Sequence, residues 1–129
     1  MIVIDASALL EVLLQTPAAE SISRLIYSFG EPLHAPHLID LEIAQALRRY
    51  VKFAVISADR AAEVIADLSE FPLTRHPHSV LLDRIWQMRH NLTAYDAAYL
   101  ALAEALNARL VTRDGALAKF GGQVRVELV

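Results

Sequence analysis

Four carboxylates carry the chemical potential of this chain: Asp5, Glu42, Asp96 and Asp114, with the hydroxyls of Ser7 and Thr112 close to two of them in sequence. Four anions in one small site repel each other and raise one another's pKa values unless a cation neutralises them. Their all-oxygen chemistry selects a hard ion, Mg²⁺ or Mn²⁺, over Zn²⁺, and Mg²⁺ keeps waters that can meet a substrate phosphate. Such an ion activates water and stabilises charge on phosphodiester oxygens, so no histidine base is required. Ser7 and Thr112 would support the carboxylates or a metal-bound water, beside their ordinary roles as helix cap and strand residue.

The elements that must position these acids follow from pattern. Met1 to Ile4 is a continuous apolar run, as in a strand covered on both faces, with Asp5 at its carboxyl end. Ser7 can cap a helix Ala8 to Leu14, and Thr16-Pro17 opens a second helix to about Ser28, ended by Gly30. A short strand Leu33 to Ala35 leads to a longer helix, about Leu38 to Phe53, carrying Glu42 in its early turns. Ser57 caps an amphipathic helix to about Glu70. A strand over Leu73 to Arg75 and a helix over His78 to His90 follow.

The stretch Leu92 to Leu117 organises the rest. Thr93 is a good N-cap, and Ala94 to Leu106 is a run of strong helix formers with Asp96 and Glu104 its only polar positions in that count, so nearly the whole helix should be buried. Asn107 stops it, Arg109 to Thr112 reads as a strand, and Asp114-Gly115 turns the chain. Val124 to Leu128 closes the sequence as an edge strand. Strands alternating with helices predict a three-layer α/β fold around a mostly parallel sheet, which binds ligands at the carboxyl edge of its strands. The four acids belong at that edge.

Each acid also has a plain structural use. Thr93-x-x-Asp96 has the form of a capping box, Asp114-Gly115 that of a turn, and a strand-end Asp5 can be satisfied by nearby amides. Glu42 lies too far into its helix for capping. Asp40 competes with it, but two residues apart they point to different helix faces, so one of the pair reaches the cluster. His76-x-His78 lacks a cysteine or nearby acid to complete a metal site. Tyr95 and Tyr99 fit the core better than a base-stacking surface. Arg75, Arg84, Arg89 and Arg113 could line a phosphate path but read as surface residues.

At 129 residues, 55% of them hydrophobic, the chain fits one domain, 1–129. A positive mean hydropathy (+0.35) leaves apolar surface for self-association or a partner. With a formal charge of −3 there is no global attraction for nucleic acid, so RNA binding must use local patches or bound cations. The absence of cysteine suits a reducing cytoplasm. No basic leader region and no apolar run near ~20 residues is present, so a cytoplasmic protein with no membrane association is expected.

The segments I-V-I-D-A-S, L-I-D-L-E-I-A-Q-A-L-R-R, L-T-A-Y-D-A-A-Y-L-A-L-A-E and L-V-T-R-D-G-A-L, in this order from Ile2 to about Leu117, resemble the PIN domain, specifically VapC-type toxins. T-A-Y-D-A-A-Y is the most specific of them. The resemblance implies a PIN-like α/β/α sandwich, a homodimer, and a Mg²⁺- or Mn²⁺-dependent endoribonuclease with Asp5, Glu42, Asp96 and Asp114 as its acidic site, supported by Ser7 and Thr112. It also implies a VapB-type antitoxin whose carboxyl-terminal segment lies along a groove of the toxin and brings an Arg or Lys near the acids. Two other phosphoryl-transfer folds fit less well: a haloacid-dehalogenase-like phosphatase needs a second Asp where Ser7 stands, and a receiver domain needs paired acids where Asp5 is followed by Ala6. The reading from another class is a non-catalytic module that binds RNA or protein, its acids serving as caps.

Overall fold

The computed structural model describes residues 1–28 and 30–129. Five strands, β1 (Ile2–Ile4), β2 (Leu33–Pro36), β3 (Thr74–His76), β4 (Arg109–Thr112) and β5 (Val126–Leu128), form one sheet in the order β3-β2-β1-β4-β5, with every pairing parallel. Seven helices are described among these residues: α1 (Ala6–Leu14), α2 (Ala19–Ser28), α3 (Leu38–Lys52), α4 (Ala58–Glu70), α5 (Leu82–Gln87), α6 (Ala94–Leu106) and α7 (Gly115–Phe120). The α1 to α4 helices pack on one another, while α5 packs on α6, which lies across β1, β2 and β4. The result is a three-layer α/β/α sandwich, as the alternation of elements predicts.

The central strands are buried on both faces, which explains why Ile2-Val3-Ile4 and Leu110-Val111 are uninterrupted apolar runs. In α6 the seven residues from Ala97 to Ala103 are all buried, so the helix is apolar on every side through its middle turns. Its first turn is not buried: Tyr95 is 65% exposed, in contrast to the core position its sequence context suggests. No helix among the described residues is long and apolar enough to cross a membrane.

Three local expectations are revised. The first helix begins at Ala6, with Asp5 as its N-cap residue, because the Asp5 carbonyl accepts from the Ala8 and Leu9 amides; Ser7 therefore lies inside the helix rather than before it. The segment predicted as one helix from His78 to His90 is a 3-10 turn, Ser79–Leu81, followed by the short α5; Met88 leaves helical dihedrals (φ −91°, ψ 3°) with its side chain in the core. Asp114-Gly115 does not merely turn the chain. The Asp114 side chain accepts from the Ala116 amide at 2.8 Å and caps α7, which buries Leu117.

Candidate active site

The order of strands places the site. β1 pairs with β2 on one side and with β4 on the other, so the strand order reverses between β1 and β4, and the carboxyl ends of these two strands are the switch point where such sheets bind ligands. Their register aligns Ile4 with Val111, which brings the next residues, Asp5 and Thr112, together. The Asp5 amide donates to the Val111 carbonyl at 2.9 Å, and the Thr112 hydroxyl donates to Asp5 Oδ2 at 2.6 Å.

Asp5 and Thr112 are the buried polar or charged residues among those described, at 5% and 0% exposure. A buried carboxylate is costly unless it is paired or hydrogen-bonded. Here two hydroxyls serve it: Ser7 Oγ donates to the same Oδ2 at 2.9 Å, alongside Thr112. The hydroxyls also receive backbone donors from the loop beyond β4. Ser7 Oγ accepts from the Arg113 amide at 3.0 Å and Thr112 Oγ1 from the Asp114 amide at 2.9 Å. Asp5, Ser7, Thr112 and the chain leading to Asp114 therefore form one hydrogen-bonded unit, from residues over a hundred positions apart in sequence.

Glu42 reaches the site from α3, half-buried, and its Oε1 accepts a hydrogen bond from the Tyr99 hydroxyl at 2.7 Å. Asp40 turns to another face: its carboxylate receives a fork from Arg75, Nε to Oδ2 at 2.8 Å and Nη2 to Oδ1 at 3.0 Å, and Arg75 also donates to the Leu68 carbonyl. The choice between Asp40 and Glu42 is thus made by their partners. Asp96 sits in the first turn of α6, where its amide donates to the Thr93 hydroxyl at 3.2 Å.

Electrostatics tie the acids together. Burial pushes the Asp5 carboxyl above the usual range, against the hydrogen bonds from Thr112 and Ser7, and the charge of Asp114 adds to the rise. Burial likewise raises Glu42, opposed by the Tyr99 bond and reinforced by the charges of Asp5 and Asp96. Asp96 is raised by burial and then by the charges of Asp114 and Asp5, against its bond to Thr93. Asp5 and Asp96 thus feel the charge of Asp114, and Glu42 feels those of Asp5 and Asp96, like charges that oppose full ionisation. Tyr99, buried beside Asp5 and Glu42, has its phenol held firmly protonated, so it remains a donor to Glu42.

Tyr99 is the residue that the sequence reading missed in this role. The signal was the spacing Asp96-x-x-Tyr99, which puts a polar-tipped side chain on the acid-bearing face of an otherwise apolar helix. Three of the histidines have partners other than the acids. His34 Nδ1 and His76 Nε2 are 2.8 Å apart across neighbouring strands, and His78 Nε2 accepts from the Leu38 amide at 3.0 Å, so the His76-x-His78 pair divides between two partners.

The donor set suits a hard divalent cation: the groups that repel each other are carboxylates, and burial removes the water that would otherwise screen them. Among the described residues no three His, Asp or Glu side chains stand close enough together to hold one metal ion. An ion held partly through water, the usual habit of Mg²⁺, fits such an open set.

A parallel sheet with acids at the carboxyl ends of its switch-point strands defines a class of fold, and the PIN domain family matches residues 2–123 of this chain. The chain is 44% identical over 121 residues to a VapC ribonuclease of Mycobacterium bovis, covering 94% of this chain and 91% of that protein. It is 39% identical over 130 residues to ribonuclease VapC12 of Mycobacterium tuberculosis, covering 100% and 99%. Among solved structures, a chain from VapBC2 of Rickettsia felis bound to a promoter DNA fragment superposes with a TM-score of 0.71 at 12% identity, over 99% of this chain and 98% of that one. This chain belongs to the PIN-domain family, and within it to the VapC type.

Proposed function

We propose that the protein is a ribonuclease toxin that hydrolyses RNA phosphodiester bonds at the Asp5, Glu42, Asp96 and Asp114 site, with Mg²⁺ or Mn²⁺ as its cofactor. The observation that carries this reading is the buried Asp5, held by Ser7 and Thr112 and coupled in charge to three further acids. Purely structural caps would not need to share one another's repulsion. The ribonuclease names of the relatives supply the substrate class.

When bound, the divalent ion would supply water activation and stabilise charge on the phosphodiester oxygens. The chain's own residues do the rest. Asp5, Asp96 and Asp114 are assigned as ligands, and Glu42 as a ligand or as the holder of an ion-bound water. Ser7 and Thr112 fix the Asp5 carboxylate in one rotamer by bonding a single oxygen, and Tyr99 does the same for Glu42. Because Ser7 and Thr112 also hold the Arg113 and Asp114 amides, the loop carrying Asp114 is tied to the acid it must act with.

The same reading gives the protein a VapB-type antitoxin as its neutralising partner and a homodimer as its assembled state, over the single domain 1–129. The solved complex from Rickettsia felis contains such a toxin and antitoxin pair. A carboxyl-terminal antitoxin segment carrying an Arg or Lys would neutralise the acids in place of a metal.

Cleavage of a mixed RNA pool by the purified chain tests the assignment, in Mn²⁺, in EDTA and with Asp96→Asn. Loss of cleavage with EDTA and with the variant is expected. A folded, antitoxin-free wild-type protein that leaves tRNA, rRNA and mRNA intact in Mn²⁺ would return the chain to a non-catalytic binding role.

A further inference from the structure

We propose that Arg113 is a phosphate-binding residue of the acid site, its guanidinium taking the non-bridging oxygens of an RNA backbone phosphate next to the bond that is cut; this rests on the nuclease reading above. Arg75, Arg84, Arg89 and Arg113 are the candidates for a phosphate path in the sequence, and the structure separates them by their partners. Arg75 is forked onto Asp40 and also donates to the Leu68 carbonyl. Arg84 donates to both oxygens of Glu104, at 2.7 and 3.0 Å, and Arg89 stacks on Trp86 and donates to its carbonyl. Arg113 is held differently. Among the described residues its guanidinium has one ion pair, Nε to Glu11 Oε1 at 3.6 Å, which is too long for a hydrogen bond.

Its backbone, by contrast, is fixed at the site. Arg113 stands between Thr112, which bonds Asp5, and Asp114, and its amide donates to Ser7 Oγ at 3.0 Å, the hydroxyl that also serves Asp5. A fixed main chain with a loosely held side chain, 38% exposed, sets a fork of N–H donors beside the acids with few bonds to give up. The carboxylates of Asp5, Glu42, Asp96 and Asp114 carry more charge than one divalent ion offsets, so an incoming phosphate needs a cation from the protein. In a chain with a formal charge of −3 that cation must be local. The planar fork of arginine matches a pair of phosphate oxygens, in charge-assisted bonds shorter and stronger than the contact with Glu11. The surface suited to self-association lies elsewhere. The exposed Leu41, Leu82 and Tyr95 line the grooves where α3, α5 and the start of α6 meet, an apolar seat for the second copy in the proposed homodimer, whereas Arg113 extends toward Glu11 on α1.

The test is binding, read as the fluorescence anisotropy of a fluorescein-labelled single-stranded RNA of mixed sequence. The parent is the full chain carrying Asp96→Asn, which keeps the RNA uncut, with Mn²⁺ fixed and KCl varied. Adding Arg113→Ala is expected to weaken binding roughly tenfold, the scale of one charge-assisted contact, and to flatten the log–log salt slope by about 0.7, one phosphate on a single strand. Arg113→Lys should keep the slope and recover part of the affinity. Glu11→Gln breaks the same ion pair from the other side and should bind RNA as tightly as the parent or more so. An unchanged slope in Arg113→Ala overturns the proposal. So does a Glu11→Gln protein that loses as much affinity as Arg113→Ala, which would make the pair a brace for the loop. A loss of binding in Arg113→Ala that follows a change in oligomeric mass, or a parent that binds no RNA, overturns it as well. Arg113-dependent binding beside a wild type that cleaves nothing would keep the phosphate contact and remove the nuclease reading, so the two fail separately.

Discussion

The Tyr99 hydroxyl, wholly buried in the core, donates to Glu42 Oε1 at 2.7 Å and joins α6 to α3 across the acid site. A single bond thus couples a core side chain to a candidate ligand. Removing the hydroxyl while keeping the ring isolates that coupling. Tyr99→Phe leaves Glu42 without its donor and raises its pKa further, so metal affinity or cleavage rate should fall by roughly 10–100-fold, with the fold retained. Isothermal titration with Mn²⁺ and single-turnover cleavage would show the loss; wild-type values for both would mean that the bond is structural only.

Thr112 links two acids, donating to Asp5 and accepting from the Asp114 amide. Thr112→Val preserves shape and strands both partners in a buried site, which should destabilise the protein by about 1–3 kcal/mol. Thr112→Ser should recover most of it. Urea denaturation of the two variants makes the comparison, and equal midpoints would contradict the role given to the hydroxyl.

Asp5 carries a raised pKa because burial and the charge of Asp114 disfavour its ionised form. For an acid whose folded pKa lies above its unfolded value, the folded state binds more protons, so its contribution to stability is present at low pH and lost as pH rises through the folded pKa. At neutral pH and without metal, Asp5→Asn should therefore melt at or above the wild-type temperature while cleavage is abolished. Adding Mn²⁺ should stabilise the wild type by mass action and the variant much less. A large fall in melting temperature on Asp5→Asn in EDTA would show that the carboxylate is a net stabiliser.

Asp40 separates stability from activity. Its fork with Arg75 joins α3 to β3 and sits apart from the acid cluster. Asp40→Asn should destabilise by about 1 kcal/mol, a figure held low by the partial exposure of both groups, with cleavage unchanged at a temperature where the variant is folded. Glu42→Gln should show the reverse pattern. Matching losses of activity in the two would merge their roles.

His34 adds a pH dependence of opposite sign to that of Asp5. Burial lowers its pKa, helped by the charges of His76 and the amino terminus, and its Nε2 is buried without a hydrogen-bond partner among the described residues. The unfolded chain then binds more protons than the fold near pH 6.5, so this contribution is present above that pH and lost as pH falls below it. His34→Gln should flatten the decline in melting temperature between pH 7 and pH 5. An identical decline in the variant would place its origin elsewhere.

Much of this arrangement is determined by the sequence alone. Segments of strand length alternating with segments of helix length dictate an α/β chain, and a parallel sheet brings the ends of its strands to one edge by connectivity alone. Asp5 and Asp114 follow from that logic, as does Asp96 behind the Thr93 cap. The helix α6 is legible because an apolar stretch of strong helix formers between Thr93 and Asn107 has few other solutions.

What only the tertiary structure decided depends on neighbours distant in sequence. Ser7 reads as a cap, but the buried charge of Asp5 and the amide of Arg113 draw its hydroxyl to the site. Asp40 and Glu42 are both carboxylates and nearly adjacent, and it is Arg75, thirty-five residues beyond Asp40, and Tyr99, fifty-seven beyond Glu42, that divide them. Tyr95 and Tyr99 sit on one helix in similar company, yet one is exposed at the groove and the other is buried against Glu42. Local pattern fixes where a side chain leaves the backbone; which charges, hydroxyls and surfaces it then meets is settled by the packing of elements that the chain brings together only on folding.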